Sequence, residues 1–498
     1  MTNRFAVAVL TVFAALLVAA PAQAATFVVT EIDDSRDGQC NGDCSLREAL
    51  DAANANAAPD EIVLPAGTLK LTLFGVEDEN ASGDIDVRND VTIRGQGAAA
   101  TKIQSTLDDR VFDLRTGAAD LQVLDLTVTG GEAKAPNDEG GGVRAEDGGE
   151  LLLERVVVSG NVSRGEAANG FGGGIFMGPG PLVVRDSAIL GNVATGVGFG
   201  GGIFVGSSAS AVALTNVTIA DNIATGSAGG GIFFNGTAAT AIVNTTIAGN
   251  QADSGGGGIG GATGNVRLRS SILAGNKTET DEPDCEEAPQ PTSEGGNVIA
   301  AECGTTNPSD ALTSQPLLGA LTASAVPVLE PLAGSPALDR AVGPCPATDA
   351  RGVARPQGPG CDAGAAELPV AAPPAPAPAG GAPATIVAPS KAGLKALPAT
   401  LKLKEGKVSV TLSCLSGPAC AGNLKLTKPG PARKGKRTPI VLAQKGFSLA
   451  GGQQAVVKAP LTKLGKAATE GRRSLGATLT VKLNGAAAAL TQKVQISR

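Results

Sequence analysis

The chain has 498 residues, enough for two or three domains, and it combines 69 glycines with an aromatic content of only 2%. It contains no Trp, Tyr or His, which argues against aromatic platforms for sugars or bases and against histidine metal sites. Its net charge of −7 conceals an asymmetry: residues 389–498 hold 20 of the 40 basic residues but only 2 of the 47 acidic ones. This asymmetry predicts two domains with different electrostatic roles.

Residues 1–24 have the pattern of a secretory signal. Arg4 precedes an apolar run over residues 5–20, and the small-residue pattern at 22–24 predicts a cleavage site. A membrane anchor is the alternative, but the run is shorter than a bilayer span. No later stretch is long and apolar enough to cross a membrane. The sequence therefore predicts an exported protein that is secreted or held at the cell surface.

Residues 25–59 predict a strand, a cysteine loop and a capping helix. Ser45 and Glu48 form an S-x-x-E capping box, and the following apolar spacing predicts a helix over about 45–56 that plugs the end of the next domain. The loop before it is rich in carboxylates and glycine, which is typical of calcium loops; a turn held by Cys40 and Cys44 is the alternative. The candidate calcium ligands are Asp33, Asp34 and Asp37.

Residues 60–300 contain a unit that repeats five times. Each copy opens with three glycines and an aliphatic residue, has β-branched residues at a spacing of two, and closes on an asparagine. One step between apolar positions is odd, which predicts a polar corner where the alternation reverses, at Arg155, Asp186, Asn216, Asn244 and Ser270. One repeat of this length cannot bury its apolar face alone, so the copies must stack as coils of a parallel β-helix. Stacked asparagines form hydrogen-bonded ladders in such structures. The predicted ladder consists of Asn161, Asn192, Asn222, Asn250 and Asn276.

The early coils carry an acidic zone, which is either a cation site or a set of solvated turns; the absence of a carboxylate pair on the regular coils favours solvated turns. Its members are Asp84, Asp86, Asp90, Asp108, Asp109, Asp113, Asp120 and Asp125. A second pattern, Phe176, Phe204 and Phe233, recurs on three successive coils. These rings form either an outward binding strip or part of the core, and the core is the commoner outcome.

Three segments carry a family resemblance. The string Cys-Ser-Leu-Arg-Glu-Ala at 44–49, with its acidic loop, resembles the CSLREA-domain secreted bacterial proteins. Residues 295–299, 334–339, 348–352 and 361–367 resemble the choice-of-anchor Q region that closes many of these proteins. The resemblance covers about residues 30–367. It implies a right-handed parallel β-helix with a pectin-lyase-like fold, closed by residues 301–367.

Residues 368–388 form a Pro/Ala-rich linker, and residues 389–498 alternate apolar residues with lysine. The alternation and its turn signals predict a small β-sandwich of immunoglobulin-like type, so the whole chain is predicted to be all-β. The chain has eight cysteines in four close pairs, and an exported protein without histidine or CxxC favours disulfides over a metal. The predicted pairs are Cys40 with Cys44, Cys285 with Cys303, Cys345 with Cys361, and Cys414 with Cys420.

These patterns predict a monomeric cell-surface or extracellular protein that acts as a binding, adhesive or structural scaffold, with the basic module attached to anionic wall polymers. The alternatives for this module are a solubilising lysine surface or docking on the acidic β-helix. The expected partner is a cell-wall or extracellular polysaccharide, without specific nucleic-acid recognition. A polysaccharide lyase or glycoside hydrolase on the same fold is the alternative. No residue stands out as catalytic, and no cofactor is expected other than the calcium alternative.

Overall fold

The computed structural model describes residues 22–75, 79–114, 119–134, 138–165, 170–261, 263–279, 284–286, 290–303, 307–369, 400–404, 406–413, 420–428, 432–433, 436–437, 440–449, 454–469, 474–483 and 490–497. The chain divides into two compact units, Met1–Pro374 and Ala375–Arg498. Most of the predicted signal and nearly all of the predicted linker lie outside the described residues. No helix among the described residues is long and apolar enough to cross a membrane.

The first unit is a parallel β-solenoid, which confirms the predicted all-β architecture. Its coils contribute strands to four parallel sheets, named A to D. Sheet A contains Thr26–Val28, Asp60–Val63, Val91–Arg94, Leu121–Leu124, Leu151–Glu154, Gly180–Arg185, Ala209–Thr215, Ala239–Val243, Val266–Arg269 and Thr292–Gly295. Sheet B contains Gly67–Leu71, Thr101–Ser105, Thr127–Thr129, Val157–Ser159, Ala188–Leu190, Thr218–Ala220, Thr246–Ala248, Ile272–Leu273, Val298–Ile299 and Ala311–Leu312.

The other two sheets are shorter. Sheet C contains Ile85–Val87, Phe112–Leu114, Val143–Ala145, Ile175–Met177, Ile203–Val205, Ile232–Phe234 and Ile259–Gly261. Sheet D contains Glu132–Ala133, Val162–Arg164, Val193–Thr195, Ile223–Ala224, Gln251–Ala252 and Lys277–Thr278. Equivalent residues pair in register, so Ile175, Ile203, Ile232 and Ile259 form one column about one strand spacing apart. All four are fully buried and belong to the core of the solenoid.

The predicted corner between sheets A and B is a column of left-handed residues. A positive φ at this point turns the chain and reverses the in-out alternation, as the odd spacing in the sequence requires. Asp and Asn, which adopt this conformation most readily among non-glycine residues, hold four of the six positions. The column consists of Asp125, Arg155, Asp186, Asn216, Asn244 and Ser270, with φ between 45° and 59°.

The triple glycines connect sheets D and C where neighbouring coils approach closely. A Cβ added at Gly201 would lie 2.5 Å from the carbonyl oxygen of Ile223 and 2.6 Å from that of Gly230. Because both obstacles are backbone atoms, they cannot move aside as a side chain could. Glycine is therefore required by the packing of one coil on the next.

The helix α1, Leu46–Asn54, covers the first coil, and its capping box is confirmed. The backbone amide of Ser45 donates to Glu48 Oε2 at 2.8 Å, and the Glu48 amide donates to Ser45 Oγ at 3.3 Å. Leu46, Ala49 and Leu50 are buried in the core of the solenoid. Burial of this face gives the helix its stability, since nine residues are too few for an isolated helix.

Residues 307–369 return along the solenoid. They include an antiparallel hairpin, Leu318–Leu321 with Leu329–Pro331, and the short 3-10 helices Thr263–Asn265 and Ala301–Cys303 lie before them. Val326, Val328, Ala350, Ala365 and Ala366 pack against a cluster of small residues on the outside of the coils. The last strand of sheet B, Ala311–Leu312, belongs to this predicted closing segment, so the solenoid continues past residue 300.

Three of the four predicted disulfides are present: Cys40–Cys44, Cys285–Cys303 and Cys345–Cys361. Cys414 and the side chain of Cys420 lie outside the described residues, so the fourth pair stays a prediction. Disulfides of this number are typical of proteins that mature in an oxidising compartment.

The second unit is β-rich, as predicted. Seven strands form one hydrogen-bonded sheet, in the order Ile440–Leu449, Cys420–Lys428, Ser474–Leu483, Leu490–Ser497, Thr400–Lys404, Lys407–Ser413 and Gln454–Pro460. An isolated bridge between Ala443 and Leu461 links the first strand of this order to the residue just after the last one. The alternation of apolar and polar residues predicted a β-rich unit, and its immunoglobulin-like arrangement stays a prediction. The remaining elements are Ala432–Arg433, Lys436–Arg437 and the helix α2, Lys463–Thr469.

Candidate functional site

The outer face of sheet C carries a column of side chains that changes from charged to aromatic along the stacked coils. Each strand has three residues, of which the first and last point into the core and the middle one points outward. In register, the middle residues run from carboxylates through an arginine to phenylalanines. The column consists of Asp86, Asp113, Arg144, Phe176, Phe204 and Phe233.

A buried cluster of carboxylates and arginines forms at the acidic end of this column. Arg110 Nη1 donates to Asp84 Oδ2 at 3.0 Å and to Asp113 Oδ2 at 2.9 Å. Arg144 Nε donates to Asp113 Oδ1 at 3.0 Å. Asp84, Asp86 and Asp113 each offer an oxygen within 4.8 Å of the others. We call Asp84, Asp86, Arg110, Asp113 and Arg144 the carboxylate–arginine cluster.

Burial controls the protonation of this cluster. It raises the pKa of Asp84 well above the usual range; Arg110 opposes the shift, and Asp109, Asp86 and Asp113 add to it. Burial also raises the pKa of Asp113, against the opposing effect of Arg110 and Arg144. Burial lowers the pKa of Arg110, but Asp84 and Asp113 more than offset this, so the pKa is raised overall. The cluster therefore keeps Arg110 charged while it favours a proton on Asp84.

The position of this cluster corrects the expectation of solvated turns. Asp84, Asp86 and Asp113 are no more than 3% exposed, and each is covered by neighbouring coils. The acidic zone was visible in the sequence, but the convergence of Asp84, Asp86 and Asp113 depends on which coil lies beside which. Carboxylate oxygens at this spacing suit a hard divalent cation such as calcium. In this structure the guanidinium of Arg110 lies against two of the three carboxylates, which neutralises part of their charge.

The predicted calcium ligands occupy a different place. Asp34 forms a buried ion pair with Arg47, at 2.6 Å, and accepts the amides of Thr72 and Leu73. Arg47 also donates to the carbonyl of Asp84 at 2.8 Å, so this pair ties the capping helix to the carboxylate–arginine cluster. These bonds account for Asp34 as a structural residue. Asp33 and Asp37 are exposed, and calcium at this loop stays a prediction.

The phenylalanines lie outside the main core, whereas the sequence favoured an interior position. The ring of Phe204 stacks on Phe176 at 5.4 Å and on Phe233 at 5.7 Å, and Phe171 packs against Phe204 at 4.6 Å. The neighbouring Ile203 points inward in their place. Phe204 is nevertheless only 3% exposed, so these rings stabilise one another and do not form an open binding strip.

A cavity of about 310 Å³ lies where the closing segment crosses the left-handed corner. Three corner residues, Asp125, Arg155 and Asp186, line one side. Asp349 and Arg351 line the other side. Asn216 donates both to Asp186 Oδ1 at 2.8 Å and to the carbonyl of Thr348 at 2.9 Å, which holds the segment against the corner. The sequence indicated the corner residues but not the segment that encloses them.

The arginines of this cavity are engaged by carboxylates. Arg155 donates to both oxygens of Asp125, at 2.6 and 2.9 Å, and pairs with Glu154. Arg351 donates to Asp349 at 3.0 and 2.6 Å and pairs with Glu330. Burial raises the pKa of Asp186, while Asn216 opposes the shift. Asp186 is thus the lining carboxylate that is held by an amide and not by a guanidinium.

The second unit presents a basic face. Lys402 pairs with Ser409 across one strand boundary and Ser409 pairs with Lys458 across the next, so the two lysines flank Ser409 on the outer side. Lys407 lies two residues from Ser409 on the same strand and the same side. All three lysines are exposed, and no carboxylate pairs with them among the described residues. We call Lys402, Lys407 and Lys458 the basic face.

Comparisons with known proteins leave the family open. No protein-family model matches the chain, and no curated protein matches it significantly. The resemblance to CSLREA-domain and choice-of-anchor Q proteins therefore stays a prediction.

Proposed function

We propose that this chain is an extracellular β-solenoid scaffold that attaches to anionic polymers through its basic C-terminal unit. The observation that carries the proposal is the basic face: Lys402, Lys407 and Lys458 are exposed on one side of a sheet whose other side is an apolar core. Among the described residues no carboxylate pairs with these lysines, so their charge is available to a partner molecule. The three disulfides and the predicted signal at 1–24 support an extracellular location.

Polymer attachment suits the composition of the surface. The basic unit has no Trp, Tyr or His, and its one aromatic residue, Phe447, packs against the core, which argues against recognition of a sugar by aromatic stacking. Its positive charge attracts the repeated phosphate, sulfate or carboxylate groups of a polymer. Several weak contacts along one polymer chain then add up to stable binding. Such binding depends on the charge density of the polymer and weakens steeply with salt.

The full-length chain tests the proposal with dextran sulfate as the anionic probe and neutral dextran as its control. We expect binding to dextran sulfate alone, at low salt, with affinity that falls as salt rises. The triple variant Lys402→Gln, Lys407→Gln, Lys458→Gln should bind about tenfold more weakly, from roughly 0.5 kcal/mol for each exposed charge.

A matched control removes the same number of exposed lysines from the solenoid: Lys70→Gln, Lys102→Gln and Lys277→Gln. This control has the same change in net charge and should bind the polymer as the unchanged protein does. An equal loss in both triple variants would show an effect of net charge alone. No binding of dextran sulfate at low salt would end the proposal.

A polysaccharide-cleaving enzyme is the second candidate, favoured by one observation. Arg110 lies between Asp84, just before the strand Ile85–Val87, and Asp113 on the adjacent parallel strand; a carboxylate in such a position could abstract a proton beside a cation. The burial of the same groups argues against it, because a polymer cannot reach side chains that are no more than 5% exposed. The scaffold is therefore the better supported function.

The enzyme candidate has a direct assay. Polygalacturonate and neutral glucans are incubated with residues 25–498, with calcium or with a chelator, and unsaturated uronides and reducing ends are measured. We expect no product. Product that disappears with the chelator and in the variant Asp113→Asn would replace the scaffold proposal with an enzyme.

A further inference from the structure

The cavity at the left-handed corner is a built space between two parts of the first unit. Small residues make room for it: Gly97 and Ala98 on the solenoid, and Ala325, Ala350 and Gly352 on the closing segment. Its volume of about 310 Å³ is large enough for a single sugar ring or a molecule of similar size. Charged side chains from the corner and from the closing segment line the space together with these small residues, so the lining is partly polar and partly apolar.

Among the described residues, one of the carboxylates that line the cavity is not bonded to a guanidinium. Arg155 is held by Asp125 and Glu154, and Arg351 is held by Asp349 and Glu330. Each of the three nitrogens of both guanidiniums already donates to an oxygen. The carboxylates therefore offset the charge of both guanidiniums, so a further anion gains little electrostatic attraction from them. The arginines therefore do not make this cavity an anion site.

Asp186 supplies the unmatched negative charge. It lines the cavity, is half-buried, and has a single side-chain partner among the described residues, the amide of Asn216 at 2.8 Å. A buried carboxylate is stabilised when a cationic donor reaches it. A ligand with an ammonium group would supply that donor and balance the surplus charge.

We infer that this cavity binds a small ligand that carries a protonated primary amine, with the ammonium group donating to Asp186. The small residues of the lining leave room for a compact neutral body such as a sugar ring. This inference stands on the cavity and its charge pairing and does not depend on the proposed function of the basic face.

The test uses three probes of nearly equal shape: glucosamine, N-acetylglucosamine and glucose. Calorimetric titration of the full-length chain at neutral pH should show saturable binding of glucosamine. N-acetylglucosamine and glucose should bind at least about tenfold more weakly, because neither carries a cation for Asp186. Equal binding of all three would overturn the assignment to an amine, and binding of none would overturn the site.

Two variants locate the site, and one is the control. Asp186→Asn keeps the shape and the left-handed backbone but removes the charge, so glucosamine should bind at least about tenfold more weakly. Ala325→Tyr fills the cavity from an exposed position and should abolish binding. Asp221→Asn is the same change at another left-handed aspartate, outside the cavity, and should leave binding intact. Glucosamine binding that survives both Asp186→Asn and Ala325→Tyr would overturn the inference.

Discussion

Asn192 donates its side-chain amide to Asn222 Oδ1 at 3.0 Å, and Asn222 in turn donates to Asn250 Oδ1 at 2.9 Å. The same oxygen of Asn222 also accepts the backbone amide of Asn192 at 3.0 Å. Each ladder amide further donates to a backbone carbonyl of the preceding coil, as Asn222 does to Ile189. One side chain thus bonds to polar groups on the coil before and the coil after its own, which explains why asparagine closes each repeat.

Removal of one ladder residue should be costly. In the variant Asn222→Ala, the backbone and side-chain amides of Asn192 and the carbonyl of Ile189 lose their hydrogen bonds to Asn222. All of these groups are buried. At about 1–3 kcal/mol for each buried group left unsatisfied, we expect a loss of at least about 3 kcal/mol in the free energy of unfolding. The midpoint of urea-induced unfolding measures it, with Asn235→Ala at an exposed position as control. A loss no larger than that of the control would contradict a structural role for the ladder.

The triple glycines should not tolerate a methyl group. Gly201→Ala would place a Cβ 2.5 Å from a backbone oxygen, so neighbouring coils must separate. We expect a loss of about 3 kcal/mol, at the upper end for overpacked cores. Gly42→Ala is the control, since nothing lies within 4 Å of its added Cβ. Comparable unfolding midpoints for the two variants would show that the coils yield more easily than the close approach implies.

The carboxylate–arginine cluster should make stability depend on pH. Asp84 has a raised pKa in the folded state, so its contribution is fully present below the unfolded pKa of about 4 and is lost as pH rises through the folded pKa. Stability should therefore fall with rising pH in the intact protein and fall less in Asp84→Asn, which cannot ionise there. Hydrogen exchange of the strands Ile85–Val87 and Phe112–Leu114 between pH 4 and 8 measures the difference. Parallel pH profiles for the two proteins would contradict the raised pKa.

The disulfide Cys285–Cys303 should stabilise the late coils. It closes a segment with a sequence separation of 18, and both cysteines are no more than 1% exposed. The double variant Cys285→Ser, Cys303→Ser should cost about 3 kcal/mol, because the unfolded chain regains the freedom of that loop. The same change at Cys40 and Cys44, whose separation is 4, should cost less. Thermal unfolding checks both, and a greater loss at Cys40–Cys44 would reverse the expected order.

Several features of the fold could be predicted because they are local or strictly repeated. The capping box needs only Ser45 and Glu48, which are three residues apart. The asparagine ladder needs only a repeat length, since stacking places equivalent residues side by side. The polar corner follows from the odd spacing between the strands of sheets A and B. Cysteines that lie close in sequence favour local disulfides, and three of the four predicted pairs are present.

The candidate sites could not be predicted in the same way. Asp84 and Asp113 lie on different coils, and their burial depends on the irregular early coils that follow no exact repeat. Phe176 and Phe204 are apolar, so their composition predicts a place in the core. In sheet C, however, the neighbouring Ile175 and Ile203 point inward, so the two phenylalanines point outward. The strand order of the second unit depends on which strands meet, and the alternation of apolar and polar residues carries no information about that.

The sequence by itself determined the repeated features of the solenoid, which are the stack of coils, the asparagine ladder and the glycine connection. It also determined that a separate lysine-rich unit follows. The repeated features follow from periodicity, because a repeated residue must meet its own copy one coil away. Only the tertiary structure decided which non-repeating segments contact the solenoid. The cavity exists because Asn216 and Thr348, which are 132 residues apart, are joined when the closing segment folds back over the corner. A repeat pattern cannot predict such a contact, because the contact occurs once and involves a segment that does not repeat.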